Sequence, residues 1–214
     1  MKRTALTIAI AAWLGLGFEA AAHAQQQEFP PGGAPANPAA AGNTTVAAQL
    51  NQQLSFVEKE IIDAANAMPE DKYSFVPMNE FPNANFSNVR NFAQQVLHVA
   101  GANYLLYGAI IPDEARPSAP TAAASKAEIV SYLRDSFVFA HKAISTITPD
   151  NMLMPVRRAP NQFAGTNLQV AVFGCSHGTD IYGQIVEYLR MNGIVPPVTA
   201  NQPARGRRGD GRGR

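Results

Sequence analysis

The stretch NLQVAVFGCSHGTDIYGQIVEYLRMNGIVPP, from Asn167 to Pro197, decides the fold. Gly174, His177, Ile181, Gln184, Ile185 and Tyr188 recur at steps of three or four, which places them on one face of an α-helix. Gly193 follows as a C-cap, and Pro196-Pro197 prevent continuation. A helix is therefore expected from about Asn167 to Asn192. It is longer than the average globular helix, so it needs neighbours of similar length to cover its apolar stripe.

Working outward, three such neighbours are legible. A first helix should start near Asn43-Thr44-Thr45, all good capping residues, and end at Pro69. Val46, Leu50, Leu54, Val57, Ile61, Ala65 and Met68 form its stripe. A second is expected from Ser87 to about Ile110, carrying Val89, Phe92, Val96, Ala100 and Leu105, with Pro112 closing it. A third opens on a capping box, Ser125 with Glu128 three positions later. Ile129, Tyr132, Leu133, Ser136, Phe137, Ala140 and Ile144 make its stripe. No strand-like alternation of any length appears. Four long amphipathic helices make an all-α four-helix bundle the economical fold. The connections at 69–86 and 149–166 are long for a bundle and suggest crossover links or a pocket rim.

The flanks read differently. Lys2 and Arg3, an apolar run from Ala5 to Phe18, and Ala22-His23-Ala24 form the three-part pattern of a secretory signal peptide. Residues 1–24 are expected to be removed, giving an exported chain, periplasmic or extracellular, that starts at Gln25. The run is too short to span a bilayer, and no later segment is apolar enough to do so. Residues 25–43 are a Pro/Gly/Ala linker by composition. The bundle should occupy 44–198, followed by an Arg/Gly-rich tail over 199–214. Arg208-Gly209-Asp210 in that tail spells an adhesion tripeptide, but a Gly/Arg repeat produces such a triplet easily.

The chain has 214 residues, of which 46% are hydrophobic and 15% charged. Residues 205–214 carry a charge of +4 and residues 25–204 a charge of −4. An acidic body argues against a nucleic-acid-binding domain, which needs a basic face. A single cysteine, Cys175, excludes an internal disulfide and any multi-cysteine metal site. It reads as an inert core thiol.

Three histidines lie in the bundle. His98 sits mid-way along the second helix, with Gly101, Ala102 and Leu105 on its face. His177 sits on the fourth helix's face with Gly174, Ile181, Gln184, Ile185 and Tyr188. Two inward histidines on different helices are raw material for a metal site. Two hydrogen-bonded core histidines are the rival reading. His141, beside Lys142 late in the third helix, reads as an exposed residue favoured by the helix dipole. Gly174, Gly178 and Gly183 each cost about 1 kcal/mol relative to alanine, which points to close helix approach or room for a ligand.

His177 to Pro197 resembles the last helix of the DinB-like family, H-x-x-D-H-Y-G-Q-x-x-x-Y-L-R-x-N-G-x-x-P-P. Met68-Pro69-Glu70-Asp71-Lys72-Tyr73 resembles the end of that family's first helix. Phe92-Ala93-Gln94-Gln95-Val96-Leu97-His98-Val99-Ala100 resembles its second. The resemblance covers about residues 44 to 198. It implies an up-down-down-up bundle that holds a divalent metal, zinc or nickel, through three histidines. It also implies thiol-dependent transferase, isomerase or hydrolase-like activity, and leaves a homodimer open. Carried over residue by residue, the ligands are His98 and His177, and the third position is Ile181. Asp180 is the adjacent carboxylate that could substitute. Because catalytic zinc takes three protein ligands, two functions of the site are expected to compete, beside a third reading in which the tails serve surface interaction. One is a binding or structural module with a degenerate centre, taking an unidentified small molecule. The other is a metal-dependent hydrolase or transferase.

Overall fold

A computed structural model describes residues 44–77, 83, 85–157 and 165–201. The signal-like segment, the linker up to residue 43 and the tail from residue 202 lie outside them. The hydroxyl of Thr45 accepts from the Ala48 amide at 3.1 Å and caps α1, Val46–Ala67. Leu54, Val57, Ile61, Ala65 and Met68 are buried, and Val46 and Leu50 pack against that core. Burying each larger side chain fully contributes about 1.5–3 kcal/mol.

The second helix starts later than the apolar pattern suggests. α2 spans Phe92–Ile110, and its cap is Asn91. Asn91 and Gln94 form a reciprocal capping box, with both bonds at 2.8 Å. Ser87 and Val89 therefore stay in the preceding turn, where Asn88 has φ +63°. Val89 and Leu105 are exposed, at 36% and 44%, and do not belong to the buried stripe. The third helix matches expectation. α3, Lys126–Ser145, opens on the Ser125–Glu128 box, and all seven stripe residues are buried. α4, Asn167–Met191, is capped by Thr166, and Gly193 has the positive φ, +72°, that a C-cap glycine supplies. Beyond it Pro197 opens a short helix, α5, Pro197–Ala200, where a missing amide hydrogen costs nothing. Val198 packs on the core.

Cross-helix bonds fix the directions. The Asn51 amide donates to Ser145 Oγ at 3.2 Å, and Lys126 Nζ donates to the carbonyls of Asn66 and Met68 at 2.7 Å. α3 thus runs antiparallel to α1. The amides of Phe92 and Ala93 donate to the carbonyls of Phe75 and Tyr73, and the Lys126 amide donates to Glu70. α2 and α3 therefore start at the same end and run parallel. α4 runs antiparallel to α2, because Tyr188 meets Arg90 near the start of α2 and Tyr107 meets Ala171 near its end. The amides of Asn167 and Leu168 donate to the carbonyls of Met154 and Met152, which places the start of α4 just beyond the end of α3 and beside the start of α1. The order is up-down-down-up. The lengthwise return falls to residues 111–125, not to the two longer connections. A 19-residue helix is roughly 28 Å long, so this link must run back along the bundle. Arg116 shows it doing so by donating to the Gly108 carbonyl at 3.1 Å.

Two of the three glycines in α4 serve close approach. A Cβ on Gly174 would sit 2.5 Å from Tyr107 Oη, and one on Gly178 would sit 2.6 Å from Val57 Cγ1. Gly183 has open space beside it, so close approach does not explain its cost.

Candidate functional site on the seam between α2 and α4

The antiparallel packing of α2 on α4 brings His98 and His177 together. Their ring centroids are 5.1 Å apart with planes at 84°, an edge-to-face pair. Phe173, one turn before His177, stacks parallel to it at 6.1 Å. Both imidazoles are half-buried. Neither ring has a hydrogen-bond partner among the described residues. Burial pushes His98 below its ordinary value, and the nearby Arg90 and His177 push the same way. Burial likewise lowers His177, with Asp180 opposing and Arg90 assisting. Both rings are thus neutral at neutral pH.

A polar strip continues from the histidines. Gln95, one turn before His98, donates through Nε2 to Gln184 Oε1 at 2.9 Å. Gln184 Nε2 in turn donates to Asp180 Oδ2 at 3.3 Å. Gln95 is 3% exposed, and its Oε1 has no partner among the described residues. A buried acceptor left unpaired costs about 1–3 kcal/mol, so this strip is not optimised for stability alone. Asp180 is exposed on the rim, whereas Ile181 is buried at 3%. Among the described residues, no three His, Cys, Asp or Glu side chains are grouped to hold a metal ion.

Beside His98 an open groove of about 650 Å³ lies along the first turns of α2. Its polar lining is Asn88, Arg90, Gln94 and His98. Its apolar lining is Val89, Leu97 and Ala122, the last from the lengthwise link. The sequence discloses both histidines and places Gln184 on the face of His177, but it does not single out Arg90 or Gln95. The signal for Gln95 is its helical spacing, three residues before His98, the counterpart of Gln184 seven after His177.

The other two reactive residues stand apart. Cys175 is buried and its thiol is pushed up by burial, with Tyr107 Oη at 3.7 Å, as expected of an inert core thiol. His141 is not an exposed helix-end residue. It is half-buried between α3 and α1, with Nδ1 2.7 Å from Asn51 Oδ1 and Nε2 3.0 Å from Glu58 Oε2. Its partners lie far away in sequence, so helix position alone could not reveal them. No helix among the described residues is long and apolar enough to cross a membrane.

Comparisons with known proteins agree with this architecture. No curated protein matches the chain. A DinB-like protein of Bacillus subtilis, YjoA, is similar in fold: its crystal structure superposes with a TM-score of 0.53 at 12% identity, over 68% of this chain and 92% of that one. At that identity the likeness concerns the fold alone. The family model for the DinB superfamily matches residues 53–185, which takes in most of α1, all of α2 and α3, and α4 through both His177 and Ile181. With the four-helix order and the paired histidines already in place, the chain belongs to the DinB superfamily.

Proposed function

We propose that this protein is an exported binding module whose divalent-metal centre is degenerate. The observation that carries the reading is Ile181, an apolar side chain 3% exposed at the position where the family pattern has its third histidine. The donor set left on the seam is two imidazoles, and a three-histidine site does not fit it. Two ligands bind zinc weakly, because affinity depends on a complete and correctly shaped ligand set. Export rests on the Lys2-Arg3, Ala5–Phe18 and Ala22-His23-Ala24 pattern. N-terminal sequencing of exported protein should start at Gln25, and a mature chain retaining Lys2 would remove that part of the reading.

The rival is a metal-dependent hydrolase or transferase using His98, His177 and Asp180. It draws support from the position of Asp180, one turn from His177 and close enough to bias its protonation. Against it stands the exposure of Asp180 on the rim. Restoring the missing ligand separates the two. An i, i+4 histidine pair can grip one ion from one helix face. Ile181→His should give a large zinc- or nickel-dependent rise in melting temperature, since binding to the folded state alone shifts unfolding by mass action. Without metal the new buried imidazole should cost about 1–3 kcal/mol. The wild type should respond little. An equal, stoichiometric response in the wild type would transfer the conclusion to the enzyme.

A further inference from the structure

The groove beside His98 carries one full positive charge and no carboxylate in its lining. Arg90 is exposed, and its guanidinium has neither an ion-pair nor a hydrogen-bond partner among the described residues. Gln94 uses Oε1 for the helix cap, which leaves its amide hydrogens as donors. His98 adds a ring whose nitrogens have no hydrogen-bond partner among the described residues. Leu97, Val89 and Ala122 supply apolar wall.

We propose that this groove binds a small organic monoanion, with its carboxylate on Arg90 and its apolar body against Leu97 and Val89. The inference rests on the binding-module reading and names the ligand class for it. A guanidinium presents two parallel N–H donors that match the two oxygens of a carboxylate, which adds direction to the charge attraction. One fixed positive charge suits a single negative charge better than a phosphate dianion. The apolar wall then has surface to cover, which inorganic phosphate lacks. His98 and the amide of Gln94 stand at hand for a second polar group on the ligand.

The test uses the full mature chain after EDTA treatment, with benzoate, benzamide and inorganic phosphate as probes. Histidine ring signals are followed by NMR during each titration. Benzoate should shift the His98 signals saturably, and benzamide, the neutral analogue, should bind at least about tenfold more weakly. Phosphate should also be weaker. Arg90→Gln should lower benzoate affinity by about tenfold or more without moving the melting temperature, and Arg90→Lys should fall between. Benzamide matching benzoate, phosphate matching benzoate, an Arg90→Gln variant that binds unchanged, or no shift with benzoate would each overturn the proposal. Repeating the titration with zinc distinguishes the two levels. Zinc-strengthened benzoate binding that still needs Arg90 breaks the degenerate-centre reading and leaves the groove. Binding indifferent to both zinc and Arg90 breaks only the ligand class.

Discussion

The bundle has two antiparallel helix contacts that hold half-buried histidines, one between α1 and α3 and two between α2 and α4, and they are finished differently. Between α1 and α3, both ring nitrogens of His141 have an oxygen within 3.0 Å, from Asn51 and Glu58. Ser145 closes the same network by donating to the His141 carbonyl and accepting from Asn51. Between α2 and α4, His98 and His177 meet only ring against ring, and the amide oxygen of Gln95 is left over. A satisfied polar contact stabilises a fold, whereas an unsatisfied one costs stability and persists where something else can complete it. On this ground the α1–α3 contact is structural, and the α2–α4 contact, which shares His98 with the neighbouring groove, is where we propose that a further group binds.

The largest expected effect disturbs the packing that both contacts share. Gly178→Val places a Cβ where Val57 already stands, so it should destabilise by about 1–3 kcal/mol in chemical denaturation. A neutral result would mean that α1 and α4 are not held in close contact at Gly178 and Val57. Next comes His141→Ala, expected to cost about 1–2 kcal/mol because it strands the buried sides of Asn51 and Glu58. A double-mutant cycle with Glu58→Gln should show coupling of about 0.5–1 kcal/mol, and strict additivity would deny the contact its structural role.

The smallest effect at neutral pH belongs to the other seam. His98→Gln with His177→Gln should shift stability by no more than about 0.5 kcal/mol, since no hydrogen bond is lost. Its signature is in the acid limb. Both imidazoles titrate below the ordinary value of 6.5, chiefly through burial. Between the folded and unfolded values the unfolded chain binds more protons, so stability rises with pH there. The wild type should hold its full stability above about pH 6.5 and lose it as pH falls toward the folded values. The double variant should lose less over that window. Melting curves from pH 7 to pH 4.5 read this difference, and parallel curves would contradict the neutral pair.

What the sequence discloses follows from how local each feature is. The Ser125–Glu128 box and the Gly193 stop are contained within a few residues, and both are in place. The start of α2 is obscured because Val89 continues the apolar period, while the deciding cap, Asn91 with Gln94, begins two residues further on. The lengthwise return through 111–125 has no periodic signature, since it depends on which helices are neighbours. His98 and His177 were legible from helix faces and from the family pattern. Arg90 was not, because an exposed arginine before a cap looks like any solvated side chain until the link through Ala122 closes a groove beside it.

The central proposal is that the α2–α4 contact is an incomplete metal centre and that the ligand sits instead in the groove beside His98. Zinc titration of EDTA-treated wild-type protein, read by calorimetry and by the His98 and His177 ring signals together, tests it most directly. The account predicts weak binding without a defined stoichiometry, easily reversed by chelator, and no common shift of the two rings at one equivalent. Tight one-to-one binding that moves both rings at one equivalent would contradict it.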